Sequence, residues 1–231
     1  VTFNAVSYGK LQSTGAMTLA STDSITVPTG GGVESTGGNI VIETSRFVNQ
    51  AGAAALSVPV TKQWQIWSTN ASPFNAVTGD RPGTLSSDYV HYNVSRASAT
   101  TVPNGNGFLF SYAPVAEAML TGTVSKVYDG TTAAQLMPAN YVVTGAVNQD
   151  VLTLNTPLTG SYVSAGTASS LQGAGSQKTV QVSNVQLTAQ QAGKPVYGYG
   201  FSNMARGAVG DIQPKPLDIA FTKVYEGSNV F

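Results

Sequence analysis

Short runs of alternating apolar and polar residues fill residues 1–60, and corners containing glycine separate the runs. The stretches STGAMTLAS and STGGNIVIET align with a shift of 22 residues at their Ser-Thr-Gly corners, and each corner leads into alternating apolar positions, Met17 and Leu19 in one and Ile40 and Ile42 in the other. A period near 20 residues with turn signals and no helical pattern is typical of a solenoid, in which stacked strands share one core. An ordinary sheet of hairpins is the alternative.

Aromatic residues, including both tryptophans, are concentrated after these repeats. Side chains alternate between the two faces of a strand, so TKQWQIWST places Trp64 and Trp67 on opposite faces. The run DYVHYNV similarly places Val90, Tyr92 and Val94 on one face. Because the open end of a solenoid exposes apolar interior and unpaired strand edges, we expect this segment to be a cap or a connector.

A second pattern begins near Pro114, where apolar runs follow one another at roughly ten-residue intervals with turn residues between them. This spacing indicates an antiparallel β-sandwich. Within KTVQVSNVQL, the apolar positions change phase by one residue, which predicts a β-bulge. The expected organisation is therefore the last coils of a solenoid, an aromatic-rich cap or connector, a sandwich, and the start of a second sandwich, at residues 1–60, 61–113, 114–215 and 216–231.

Composition supports an all-β chain and narrows the function. Only 10% of the 231 residues are charged, whereas long surface helices carry many Lys and Glu residues. The formal net charge is zero, so no electrostatic field attracts nucleic acid. No apolar run is long enough for a transmembrane helix. The chain has no cysteine, which excludes disulfides and thiolate metal sites.

One short motif occurs twice: SKVYDGTT begins at Ser125, and TKVYEGSN begins at Thr222. We interpret both copies as structural turns, in which the acid accepts backbone amide protons and the glycine adopts a positive φ. The turn residues are Tyr128, Asp129, Gly130, Tyr225, Glu226 and Gly227.

Several stretches resemble one known repeat. KVYDGTTAA, SQKTVQVSNVQLT and GDIQPKPL are similar to the YDG domain of bacterial filamentous-haemagglutinin-type adhesins, which are exported by two-partner secretion. RFVNQAGAAALSV followed by KQWQIWST resembles the segment that joins the β-helical shaft of such adhesins to their YDG repeats. The second copy of the turn departs from the pattern, with Glu226 at the acid position and SN in place of TT.

This resemblance implies a right-handed parallel β-helix followed by immunoglobulin-like repeats, in a secreted protein of the bacterial surface. It implies a role in adhesion, aggregation or biofilm formation without catalysis or a cofactor. The implied partners are a host or bacterial surface glycan or protein, and an outer-membrane secretion partner for the parent protein. We expect no binding of nucleic acid and no membrane insertion by this segment.

Catalytic patterns are weak in this chain. His91 follows Ser86, Ser87 and Asp88, but serine is abundant and no Gly-x-Ser-x-Gly elbow occurs. A polysaccharide hydrolase built on the solenoid would need two or three acids on one face, and the acids of residues 1–60 are Asp23, Glu34 and Glu43. No loop carries the closely spaced acids of a calcium site.

Carbohydrate recognition is the alternative function. Sugar rings stack their apolar faces on aromatic rings, and the candidate ligand-binding residues are Trp64, Trp67, Tyr89, His91 and Tyr92. A role of these residues in capping the core is the competing interpretation, and burial of the rings would favour it.

Overall fold

The computed structural model describes residues 10–99, 101–164, 167–168 and 175–220. These residues form twenty β-strands and two short 3-10 helices, with no α-helix among them. The prediction of an all-β chain is therefore confirmed. The 3-10 helices are Gly52–Ala54 and Pro138–Asn140.

We call residues 114–215 the YDG-like segment. The strands before it are β1 (Lys10–Ser13), β2 (Met17–Val27), β3 (Gly32–Ser35), β4 (Ile40–Asn49), β5 (Leu56–Ser57), β6 (Trp64–Ser68), β7 (Tyr89–His91) and β8 (Gly107–Phe110). The later strands are β9 (Val115–Leu120), β10 (Val124–Val127), β11 (Ala133–Gln135), β12 (Tyr141–Thr144), β13 (Val151–Leu154), β14 (Thr159–Ser164), β15 (Thr167–Ala168), β16 (Gly175–Ser183), β17 (Leu187–Gln191), β18 (Lys194–Tyr197), β19 (Gly200–Phe201) and β20 (Met204–Gln213).

Two compact units divide these strands, and each draws on separate parts of the chain. The first unit comprises Val1–Ala118, Val142–Thr156 and Asn184–Met204. The second unit comprises Met119–Tyr141, Pro157–Ser183 and Ala205–Phe231. The YDG-like segment therefore supplies strands to both units. The boundaries predicted at 60, 113 and 215 stay predictions.

The first unit begins with three successive pairs of strands that stack in parallel. β1, β3 and β5 form one sheet, while β2, β4 and β6 lie side by side in another. Paired residues are separated by roughly 23 positions, as in Met17 with Ile40 and Ile40 with Trp64. The sequence repeat gave Met17 and Ile40 as the first apolar positions after their corners, and the two residues pair. The third pair of strands was not predicted.

The larger sheet of the first unit contains eight strands in the order β13-β17-β18-β7-β8-β6-β4-β2. β18 pairs in parallel with β7, through Val196 opposite Val90 and Tyr197 opposite His91. One row of apolar residues crosses all eight strands; we call it the apolar column. Its members are Leu19, Ile42, Ile66, Phe108, Val90, Val196, Ala189 and Leu152.

The apolar column runs through the main core of the first unit, to which all of its residues belong or against which they pack. Each strand alone exposes an apolar face, and stacking removes that face from water, which stabilises the sheet by about 25 cal/mol per Å² of apolar surface. Because the column continues into β18, β17 and β13, strands of the YDG-like segment share this core.

The opposite face of the same sheet carries a smaller apolar cluster of Trp67, Tyr89 and Leu109. Val94 packs against this cluster, whereas the alternation of DYVHYNV predicted it beside Val90 and Tyr92. That prediction was wrong because β7 ends at His91 and Asn93 adopts a φ of +52°. The strand alternation ends there, and Val94, Ala99 and Val102 pack against the cluster of the outer face.

The second unit is built on the strand order β11-β14-β16-β20, with β15 paired to β14 and β10 paired to β20. β14 pairs antiparallel with β11 and β16, but β10 pairs parallel with β20. Tyr162 of β14 is buried, and its hydroxyl donates a hydrogen bond of 2.7 Å to the carbonyl oxygen of Val124. This bond ties β10 to β14.

The predicted bulge in KTVQVSNVQL is a break between two strands. β16 ends at Ser183, Asn184 has a φ of +61°, and β17 begins at Leu187. Val182 and Val185 are both buried, and the two residues belong to different units. The change of phase in the sequence therefore marks the passage of the chain from one unit to the other.

Candidate functional site

Four of the five predicted ligand-binding residues are buried in the first unit. Trp64 and Tyr92 belong to the main core, and Trp67 and Tyr89 belong to the outer cluster. The exposed fractions of these four side chains are 3%, 0%, 5% and 1% in the same order. Sugar stacking needs an accessible ring face, so this burial favours the core-capping interpretation of the aromatic residues.

His91 is half-buried at the end of β7, and its ring meets that of Tyr197 edge-on at 5.7 Å. Burial lowers the pKa of His91. Its Nδ1 atom is buried without a hydrogen-bond partner among the described residues. Asp88 instead accepts a hydrogen bond from the backbone N–H of Asn106 at 2.8 Å. The described residues therefore show no hydrogen bond between His91 and an orienting acid, which a catalytic triad requires.

A buried carboxylate, which the sequence did not indicate, joins β7 to the YDG-like segment within the first unit. Asp150 is 6% exposed and accepts hydrogen bonds from the hydroxyls of Tyr92, at 2.9 Å, and Tyr199, at 2.7 Å. Gln191 Nε2 donates a third bond at 3.1 Å. Desolvation raises the pKa of Asp150, and the three donors oppose that shift. Desolvation and the nearby carboxylate raise the pKa of Tyr92 and Tyr199.

The Asp150 network predicts a specific pH dependence. Because the folded state raises the pKa of Asp150, its contribution to stability is fully present below the unfolded value, near pH 4, and is lost as the pH rises through the folded value. We therefore expect the free energy of unfolding of the wild type, relative to Asp150→Asn, to fall as the pH rises above about 4. Urea titrations at several pH values measure this difference.

Asp129 is a control for Asp150, because its contribution to the free energy of unfolding should change with pH in the opposite direction. Hydrogen bonds from Lys126 and Thr131 lower the pKa of Asp129 to about 2, so its contribution is present above about pH 4 and lost below it. The difference between the wild type and Asp129→Asn should therefore rise with pH over the acid range. A difference for Asp150→Asn that rises with pH would contradict the raised pKa of Asp150, because it would show that the three donors outweigh desolvation.

The YDG turn of the second unit is organised around a lysine ammonium. Lys126 Nζ lies 2.7 Å from Asp129 Oδ1 and 2.7 Å from the carbonyl oxygen of Thr131. The ammonium also lies 5.5 Å from the centre of the Tyr162 ring. The N–H of Thr131 donates to Asp129 Oδ1 at 2.9 Å. Lys126, Asp129 and Thr131 of KVYDGTT therefore form a closed turn, in which the carboxylate of Asp129 neutralises the charge of the lysine.

Substitution of Gly130 tests whether the turn stabilises the fold. Its φ is +76°, and a Cβ built there meets no atom within 4 Å, so a substitution brings backbone strain without a clash. We expect Gly130→Ala to destabilise the chain by about 1 kcal/mol, and Gly130→Asn by less, because asparagine tolerates the left-handed region. Thermal unfolding of the two variants measures the order, and equal loss in both would contradict it. The second predicted turn, Tyr225, Glu226 and Gly227, lies outside the described residues.

A cleft of about 560 Å³ opens in the first unit between the loop at 73–87 and the turn between β17 and β18. Its apolar part is lined by Phe74, Val90, Phe108 and Phe110. The lining also includes Asn75, Arg81, Ser86, Ser87, Asn148, Gln191 and Lys194. No sequence pattern indicates this cleft, because the 73–87 loop and the β17–β18 turn are more than a hundred residues apart in the chain.

The 73–87 loop is fastened to β4 by polar contacts. Asp80 accepts hydrogen bonds from the N–H of Phe47, at 2.6 Å, and from the hydroxyl of Ser68, at 2.8 Å. Arg46 donates to the carbonyl oxygens of Gly79 and Val77, at 3.1 and 3.0 Å. Desolvation raises the pKa of Asp80, against the opposing effect of these hydrogen bonds. The loop is thus a fixed wall of the cleft.

Acidic residues do not converge elsewhere in the described part of the chain. Glu34 bonds to Lys10 and Gln12, and Glu43 lies 3.8 Å from Arg96. No group of three or more potential metal ligands occurs among the described residues. The same residues contain no helix that is long and apolar enough to cross a membrane.

The described residues define an all-β protein in which parallel strands precede a mixed β segment. Residues 114–195 match the YDG domain family, so the chain contains a YDG domain. The matched residues include the Lys126 turn, Asp150 and β17, and they end within β18. No curated protein and no solved structure matches the chain.

Proposed function

We propose that the chain is a structural and adhesive segment of a large secreted bacterial surface adhesin of the filamentous-haemagglutinin type, exported by two-partner secretion. In this proposal, the N-terminal strands are the end of a right-handed parallel β-helix, and the YDG domain is an immunoglobulin-like module that follows it. The segment holds binding surfaces away from the cell and catalyses no reaction. Its partner is a glycan or protein of a host or bacterial surface.

The stacking of the first six strands is the observation that carries the proposal. Three consecutive parts of the chain each contribute one strand to the β1-β3-β5 sheet and one to the β2-β4-β6 row. Repetition of a unit that pairs only with its neighbours gives an extended, quasi-one-dimensional structure. An extended structure of this kind suits a rod that separates a cell from the surface it binds.

The apolar column supports a rigid connection between the N-terminal strands and residues 142–156 and 184–204, which comprise part of the YDG domain and the residues after it. β18 pairs with β7, and Val196 and Ala189 belong to the same core as Ile42 and Ile66. A shared core resists bending far more than a flexible linker does, because bending would open packed apolar contacts. Such a connection transmits force along the chain, as adhesion requires.

Surface exposure in the bacterium that encodes the chain tests the proposal. Antibodies raised against the 231-residue chain should label intact cells, and deletion of the gene for the outer-membrane secretion partner should remove the label. Deletion of the segment from the parent gene should reduce attachment of the cells to surfaces. Labelling that requires permeabilised cells, or that survives loss of the secretion partner, would contradict the proposal.

A further inference from the structure

We propose that the cleft between the 73–87 loop and the β17–β18 turn is a binding site for a carboxylated saccharide. The inference deepens the proposed function, on which it rests, because it names the class of ligand that an adhesive segment would hold. The volume of about 560 Å³ lies within the range of small-molecule sites. Such sites combine an apolar floor with a few polar groups that fix the orientation of the ligand.

The floor of the cleft suits the apolar face of a sugar ring. Phe74 is half-buried and meets Tyr92, Phe110 and Tyr112 edge-on, at 5.8, 5.4 and 5.9 Å between ring centres. These contacts fix the orientation of the Phe74 ring while part of it stays accessible. Aromatic rings held in this way provide a flat surface for stacking, which the buried Trp64 and Trp67 do not provide.

The rim carries two cations that have no carboxylate partner among the described residues. Arg81 and Lys194 are both exposed and line the cleft from opposite sides. Arg81 Nη2 donates to the carbonyl oxygen of Ala76 at 2.6 Å. Lys194 pairs with Gln191 through the backbone, and its ammonium makes no hydrogen bond or ion pair with another described residue. Asp80 is the one acid among the described lining residues, and both of its carboxylate oxygens already accept hydrogen bonds. The cleft therefore favours an anionic group.

The sheet beneath the cleft disfavours an extended peptide as the ligand. A peptide that binds by strand addition needs an unpaired strand edge, but β7 lies between β18 and β8, and β8 lies between β7 and β6. The lining also carries the hydroxyls of Thr84, Ser86 and Ser87 and the amides of Asn75 and Asn148, of which Asn75 Oδ1 accepts hydrogen bonds from the N–H groups of Val77 and Thr78. Amides and hydroxyls of this kind recognise the hydroxyl groups of a sugar.

Titration of the 231-residue chain with sialyllactose, followed by the backbone amide signals in NMR, tests this inference. A disaccharide of galacturonic acid serves as a second carboxylated probe, and lactose is the uncharged match of sialyllactose. We expect both carboxylated probes to shift the signals of residues 73–87 and 191–194, and lactose to bind more weakly. Raising the salt concentration should weaken binding, because exposed charges are screened.

Charge-removing variants localise the effect. Lys194→Gln and Arg81→Gln should each weaken sialyllactose binding about fivefold. Lys62→Gln removes an exposed lysine outside the cleft and should leave binding unchanged. Absence of binding, shifts confined to another surface, lactose binding as tight as sialyllactose binding, or inorganic phosphate binding as tight as either acid would each overturn the inference. Surface labelling of cells is independent of these titrations, so it distinguishes failure of the cleft from failure of the proposed function.

Discussion

Replacement of Tyr92 by alanine should lower the free energy of unfolding by about 4 kcal/mol. The Tyr92 side chain is fully buried, and its ring contacts Phe74, Phe110 and Tyr199 at 5.4 to 5.8 Å between ring centres. Truncation would leave a cavity in the main core and remove one donor from the buried carboxylate of Asp150. Urea unfolding, followed by circular dichroism, measures the loss.

Tyr92→Phe separates the two contributions to this loss. The variant keeps the aromatic ring and removes only the hydroxyl, while Tyr199 and Gln191 continue to donate to Asp150. We expect a loss of about 1 kcal/mol, the typical net value of one hydrogen bond. If the phenylalanine variant loses as much as the alanine variant, the packing argument for Tyr92 is wrong.

Replacement of Gly198 by alanine should destabilise the junction of β18 with β7 by more than about 3 kcal/mol. Gly198 has a φ of +86°, and a Cβ at this position would overlap the carbonyl oxygen of Tyr92. The N–H of Tyr92 donates to the carbonyl oxygen of Tyr197 at 2.9 Å, so the two segments cannot separate without breaking the pairing. Urea unfolding measures the cost.

Gly193→Ala is the matched control for Gly198→Ala. Gly193 lies in the turn between β17 and β18, has a φ of +77°, and would place a Cβ in open space. Both substitutions therefore carry similar backbone strain, of about 1 kcal/mol, and only Gly198→Ala adds the overlap with Tyr92. Similar destabilisation in the two variants would show that close packing at Gly198 is not important.

Local periodicity predicted the stacking of neighbouring strands in the first sixty residues, and it failed where the repeat lost its corner. The first two sequence repeats begin with Ser-Thr-Gly. Leu19 and Ile42 occupy equivalent positions after these corners, and the two residues pair. Before β6 the corner is replaced by Pro59, Val60, Thr61 and Lys62. A different turn led into the same strand position, so the third pair of strands was invisible to sequence comparison.

Long-range pairing explains the remaining failures. The spacing of apolar runs after Pro114 indicated strands, but it gave no information on whether the neighbour of β18 would be β17 or β7. The burial and hydrogen bonds of Asp150 could not be predicted from the sequence, because its two tyrosine donors are 58 and 49 positions away. The Lys126 turn was easier to anticipate, since Asp129 and Thr131 lie within five residues of the lysine.

The parallel pairing of β18 with β7 constrains how this part of the gene can be duplicated or recombined. A copy of the YDG domain alone, residues 114–195, carries β17 but ends within β18, and it leaves β7 behind. A copy extended through β20 carries the whole of β18 but still lacks the neighbour on which Val196 pairs. In each additional repeat, the edge of β18 must therefore pair with a strand other than β7, or it must carry residues that are stable when exposed to solvent.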